Sequence, residues 1–396
     1  MAVPGRLRSL RPQVKAFAAL TVLLVSIAVA VTIGVADLSV GEVLRSVAFH
    51  TGFPVRPLPA LADSIVWDLR MPRVLLAALV GAGLAVCGAA LQALTRNPLA
   101  DPYLLGISAG ASTGAVAVLV LGLGAGAVAL SAGAFAGSVA AFAVTLLLAG
   151  RRWTQPSRIL LAGVATAQLF SAVTSLVMVA AASADSTRST LFWLLGSLTA
   201  ATWSSVALCG TACAVVLLTC WATAPALDAF SFGADVAQSL GFSPTRLRAV
   251  LFTATAVLAA VLVAASGAIG FVGLTVPHLV RRLTGSRHRR LLPVSALAGA
   301  TLLVWADTAA RTVFAPQELP VGVVTALLGV PVFALLFRSP APRQFLRRPA
   351  LFSRPLRVSR PLRASRPLRV SRPLRVSRPL RVSRPLRVSR RLWRSR

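Results

Sequence analysis

The chain has 396 residues, 56% of them hydrophobic and 13% charged, with a mean hydropathy of +0.79, values that exclude an ordinary soluble domain. Its formal charge of +31 suggests nucleic acid until the arginines are placed: 19 of them, with no acid, lie in 343–396, which leaves +12 for the other 342 residues. No groove-reading element or stacking platform accompanies that charge, so specific nucleic-acid recognition is excluded too, and a multi-spanning membrane protein remains.

Residues 1–15 are a basic segment carrying Arg6, Arg8, Arg11 and Lys15. The apolar run 16–36 that follows is long enough to be kept as a first helix rather than removed as a signal peptide. Apolar windows of about 19 residues place ten spans, near 16–36, 72–95, 103–121, 127–149, 159–183, 203–222, 248–266, 268–283, 290–311 and 320–338. The expected fold is therefore an all-α polytopic membrane protein, with a permease-sized helical domain over 16–338. Arg96, Arg151, Arg152, Arg158, Arg246, Arg248, the cluster 281–290 and Arg338 onward all fall on one side, and the positive-inside rule puts that side and both termini in the cytoplasm.

The second span closes on a polar hinge, Arg96-Asn97-Pro98-Leu99-Ala100-Asp101-Pro102. Pro98 and Pro102 cannot continue a helix interior, and Asn97 and Asp101 suit the freed backbone groups. Gly81, Gly83, Gly88, Gly106, Gly110 and Gly114 on either side permit helices to approach closely, which is how association is won in a bilayer. In the fifth span Gln168, Ser171 and Ser175 share a helical face, serving either a translocation path or hydrogen bonds between helices.

Four arginines, Arg70, Arg73, Arg188 and Arg311, fall on the outer side against the rule. Arg311 follows Asp307 by four residues, which reads either as a local ion pair or, with Arg70 and Arg73, as an outward patch that docks an acidic partner. Between the sixth and seventh spans, 226–248 holds a short amphipathic helix with Val236, Ala237 and Leu240 on one side, stopped by Gly241 and Pro244. It is either a docking knob for a cytoplasmic partner or an interfacial helix. In the eighth span Gly267, Gly270 and Gly273 recur every three residues, and Pro277 is expected to interrupt the helix.

After 338 the pattern changes to a hexapeptide, Ser-Arg-Pro-Leu-Arg-Val or its Ala variant, starting at Ser353, Ser359, Ser365, Ser371, Ser377 and Ser383. Proline every sixth residue forbids continuous helix and like charge favours extension, so 339–396 is expected to be a disordered arm, with anionic membrane lipid as its natural contact.

Catalysis finds no footing: the ten acids form no paired carboxylate deep in a span, and the single lysine, Lys15, cannot complete a phosphate-binding loop. Cys87, Cys209, Cys213 and Cys220 lie in apolar runs without metal-ligand spacing and read as small core residues; no catalytic residue, metal site or cofactor is expected. Transport driven by ATP would need a separate ATPase.

The stretches LRMPRVLLAALVGAGLAVCGAALQALTRNPLADPYLLGISAGA, SRILLAGVA, GAIGFVGLTVPHLVR and ELPVGVVTALLGVPVFALLF together resemble FecCD-type permeases, the membrane subunits of ABC importers for ferric siderophores, haem and cobalamin, in collinear order over about 16–338. The resemblance implies the ten-helix type II importer permease fold. It also implies a second permease subunit, as homodimer or paralogous heterodimer, a cytoplasmic ABC ATPase dimer and an extracytoplasmic binding protein or lipoprotein. Arg70, Arg73 and Arg311 match arginines that in the cobalamin permease pair with glutamates of the binding protein. The segment from Phe230 matches the family's coupling motif, with Gly233, Asp235, Ala237, Leu240 and Gly241 as ATPase contacts and Ala234 where the family has its first glutamate. The family's inner gate falls at Pro156 and Ser157, a proline standing in place of a small hydroxyl residue. The implied cargo is a ferric siderophore, with cobalamin or haem as alternatives within the family. A membrane-anchored protein acting on lipid or nucleic acid through its basic tail is the alternative outside it.

Overall fold

Gly81 and Gly299 sit face to face at the centre of the molecule, so close that a Cβ on Gly81 would collide with the carbonyl oxygen of Gly299. They belong to the two long helices around which the others pack, α4 (Met71–Thr95) and α14 (His288–Thr312). The computed structural model describes residues 12–34, 38–122, 126–181 and 184–338; the Ser-Arg-Pro-Leu-Arg-Val arm and the basic segment 1–11 lie outside them. Among the described residues the regular structure is entirely helical.

The chain opens with α1 (Pro12–Thr32) and a short α2 (Val40–His50), then α3 (Ala60–Ser64) and a π-helical segment (Ile65–Arg70) run directly into α4. In α2, Ser39 and Glu42 cap each other across the first turn, a pairing that fixes where this helix begins. The remaining helices are α5 (Ile107–Leu121), α6 (Gly126–Ala149), α7 (Pro156–Ala181), α8 (Ala184–Leu194), α9 (Trp203–Ala222), α10 (Ala224–Phe230), α11 (Ala234–Ser239), α12 (Pro244–Ser266), α13 (Val272–Thr284) and α15 (Val321–Arg338).

Among the described residues seven helices are long and apolar enough to cross a bilayer, and two shorter apolar ones, at Ile107–Val120 and Val321–Leu335, join them. The eighth expected span is met by α13, whose 13 residues reach only about 20 Å, less than a hydrocarbon core. The helical architecture is thus as expected, while α2 and α8 are additions that the apolar windows do not show.

The hinge after α4 is built as its residues dictate. Arg96 adopts a left-handed conformation (φ 52°) that ends the helix. The Asn97 side chain accepts the N–H of Leu99, and Asp101 accepts the N–H of Tyr103, opening the 3-10 turn Pro102–Leu105. Beyond it α5 and α6 pack through Gly110, Gly114, Gly133 and Gly137, where any added Cβ would strike the facing helix's backbone or a side chain on it.

Pro277 does not interrupt α13, contrary to expectation; the helix runs through it from Val272 to Thr284. The break lies earlier, at 267–271, where Phe271 takes φ 67°. Proline has no N–H, so the carbonyl of Gly273 four residues before it has no helical donor. Gln92 of α4 supplies one, its amide nitrogen 3.2 Å from that oxygen, and so sutures the helix to its neighbour. The non-helical stretch is covered in the same economical way: the Tyr103 hydroxyl donates to the carbonyl of Ile269 and accepts its N–H, both at 3.0 Å.

Candidate functional site

Two groups of residues, one charged and one largely apolar, cap the antiparallel α4–α14 pair, one at each end. The first joins the start of α4 to the end of α14. Asp307, 1% exposed, accepts the Nε and Nη2 of Arg73 at 3.0–3.1 Å, a bidentate pairing, and Glu318 takes the remaining Nη1 at 3.0–3.1 Å. Arg311 contacts the other side of Asp307 at 3.8 Å.

The two other arginines turn toward α1. Arg70 donates to the carbonyls of Val31 and Thr32 at 3.0 and 2.9 Å, and Arg311 donates to that of Ala30. These are the last carbonyls of α1, which lack partners within their own helix and carry the negative end of its dipole. Arg70 and Arg311 are 7% and 8% exposed. The structure therefore brings Arg70, Arg73 and Arg311 together, and in this chain they are engaged by its own acids and by α1 rather than standing free as a surface patch. The local Asp307–Arg311 spacing is visible in the sequence; the stronger pairing of Asp307 with Arg73, 234 positions away, is not.

The second cluster lies where α4 ends and α14 begins. The expected amphipathic helix is present as α11, but it buries only Ala237; Val236 and Leu240, 42% and 64% exposed, point away from the chain beside Phe232 at 78%. Gly233 is buried beneath them, with φ 126°, and Gly241 closes the helix with φ 85°, both conformations that favour glycine. Asp235 is exposed. Behind this surface Ala229, Phe230 and Ala237 form a small separate core, with the Arg248 guanidinium over the Phe230 ring at 5.1 Å. Asp228 of α10 accepts both the backbone N–H and the ring Nδ1 of His288 at the first residue of α14, at 2.9 and 2.7 Å. Burial pushes the Asp228 carboxyl up, but those hydrogen bonds and nearby Arg287 outweigh it and hold the group below its usual range.

The third set lies on α7. Pro156 opens that helix half-buried and Ser157 is exposed beside it. Gln168, Ser171 and Ser175 are all exposed, turned away from the rest of the chain, whereas the neighbouring Thr174, further round the helix, is buried and bonded to Thr113 at 2.8 Å. The four cysteines are free and buried, as small core residues should be.

The chain matches the FecCD transport family over residues 22–339. It is 39% identical over 282 residues to the Fe(3+)-citrate import system permease protein YfmE of Bacillus subtilis, covering 71% of this chain and 84% of that one. To the cobalamin import system permease protein BtuC of Halobacterium salinarum it is 41% identical over 283 residues, covering 71% and 75%. Among solved structures, an inward-facing conformation of a metal-chelate type ABC transporter superposes with a TM-score of 0.72 at 28% identity, over 83% of this chain and 99% of that chain.

Proposed function

Because the chain belongs to the FecCD transport family, as a non-catalytic permease subunit of a metal-chelate or vitamin type ABC importer, we propose that it imports a ferric siderophore across the inner membrane by alternating access. The observation that carries the path is the polar face of α7. Gln168 and Ser171 are exposed midway along a membrane-length helix, with Ser175, whose hydroxyl donates to the Ser171 carbonyl, one turn further on. Polar side chains at that depth need a polar partner rather than hydrocarbon. A second permease subunit packed on this face, as homodimer or paralogous heterodimer, gives them a shared, hydrated corridor, with Pro156 and Ser157 at its inner gate.

In this reading both termini are cytoplasmic, the Arg73 end of α4–α14 faces outward and the α11 end faces the cytoplasm. A binding lipoprotein presents carboxylates to Arg70, Arg73 and Arg311, and Arg73 changes partner from Glu318, the exposed acid, while buried Asp307 holds the guanidinium in place. An ATPase dimer seats on Gly233, Asp235, Ala237, Leu240 and Gly241. A bulky polar chelate cannot shed its water into hydrocarbon, so each stage of passage has to replace that hydration.

Uptake of a radiolabelled ferric hydroxamate and of radiolabelled cobalamin by a strain deleted for this chain tests the cargo. Loss of iron uptake alone, restored by the chain but not by a Gln168→Leu/Ser171→Leu variant that still inserts, is the expected result. Loss of cobalamin uptake with iron uptake intact overturns the siderophore assignment.

A further inference from the structure

The coupling surface has little core of its own: of the segment from Ala229 onward only Ala229, Phe230, Gly233 and Ala237 are buried before α12 begins. Apolar packing of Ala224 and Leu227 in the main core and of Leu247 on both cores ties it to the bundle, and one polar contact is added to these, between α10 and the first residue of α14. Arg287, the residue preceding α14, makes no side-chain cap. Asp228 supplies that cap from another element, placing a carboxylate on an orphan N–H at the positive end of a 25-residue helix. The same oxygen takes the His288 ring, which is 2% exposed. The ring's other nitrogen, Nε2, is buried without a partner, so Asp228 is the contact that orients it. A histidine ring buried with one nitrogen unsatisfied is costly, which leaves the bond to Asp228 as the compensating contact of the ring.

At its far end the same helix carries Asp307 and Arg311. One helix, continuous through Pro293, therefore joins the two clusters, and the close approach of Gly299 to Gly81 of α4 holds it near its middle.

We propose that Asp228 and His288 form a positioning clamp that seats α10, and through it residues 233–241, on the inner end of α14, so that the ATPase surface follows the helix that carries the arginine cluster. The clamp contacts neither cargo nor nucleotide; it acts through the segment it holds. This assignment rests on the reading of 233–241 as the ATPase contact.

The test uses the full chain purified from its own membranes by a tag, together with whatever ATPase accompanies it. Amide hydrogen exchange is followed at 233–241 and at 71–95. His288→Leu should speed exchange at 233–241 by about tenfold, as loss of a hydrogen bond to a charged group predicts. It should leave 71–95 protected, and reduce recovered ATPase by a similar factor. His288→Asn, whose amide nitrogen replaces Nδ1, should restore both. Should His288→Leu expose 71–95 as well, Asp228→Asn, which keeps the acceptor and removes the charge, takes its place, with a smaller rise at 233–241 expected. Unchanged exchange at 233–241, or failure of Asn to rescue, overturns the clamp. Absence of an ATPase from the wild-type preparation would instead count against the coupling assignment, while the exchange rates still judge the clamp.

Discussion

At the Arg73 end of the α4–α14 pair the guanidiniums are held by Asp307, Glu318 and the carbonyls of α1, while at the α11 end Phe232, Val236 and Leu240 lie open on the surface. The first region is charged, largely buried and assembled from distant parts of the chain. The second is apolar, exposed and nearly continuous in sequence. A buried ion pair does not act as a docking surface until one of its members is released, whereas an exposed apolar knob is ready as it stands. On the proposed reading, capture of a binding protein at the Arg73 end would be an exchange of partners and seating of an ATPase at the α11 end a simple burial.

Replacing Arg73 with Ala breaks the charged end most severely. It removes the bidentate partner of the Asp307 carboxylate, 1% exposed, leaving only Arg311 at 3.8 Å, and should destabilise the chain by about 3 kcal/mol. Adding Asp307→Asn should recover part of the loss in a detergent melting assay. No recovery would show that the two residues are not coupled.

At the apolar end Leu240→Ala should leave the melting temperature almost unmoved, because an exposed side chain contributes about 0.5 kcal/mol or less to folding. The same change should weaken ATPase binding by about tenfold if Leu240 anchors that contact. Equal binding by both variants in a pull-down titration would remove it from the interface.

Glu318→Gln sharpens the exchange idea, since it frees Arg73 without stranding a buried acid. Capture of the binding protein should tighten by about two- to fivefold, the range set by a partly exposed ion pair. Weaker capture would mean that Glu318 shapes the surface rather than occupying it. The smallest effect is expected from acid. Asp228 lies below its usual value of 3.8, so its contribution to holding the segment is complete above that value and is lost only as pH falls through the lower, folded one. Exchange at 233–241 should accordingly accelerate, after correction for intrinsic rates, only below about pH 4.

Reading the residues in order reached the helical membrane architecture, the hinge at 96–102 and the glycine packing, because each depends on neighbours or on short repeats. It reached the short helix stopped by Gly241 for the same reason, while the set Gly233, Asp235, Ala237, Leu240 and Gly241 came from the family resemblance alone. It missed the pairing of Arg73 with Asp307 and of Asp228 with His288, both of which join helices far apart in the chain and leave no periodic trace. It also misplaced the break in α13, since Pro277 announces a lost hydrogen bond but not that Gln92 stands ready to replace it.

The stretch at 267–271 interrupts helix inside a bundle where water is scarce, and one phenolic oxygen serves both polar groups of Ile269. Tyr103 is thus a surrogate peptide unit: deleting a single atom, as Tyr103→Phe does, would unpair a donor and an acceptor at once. A tyrosine beside the polar hinge therefore fastens the non-helical stretch before the half-length helix to the end of α4's own hinge, so that these two breaks in helix share one side chain.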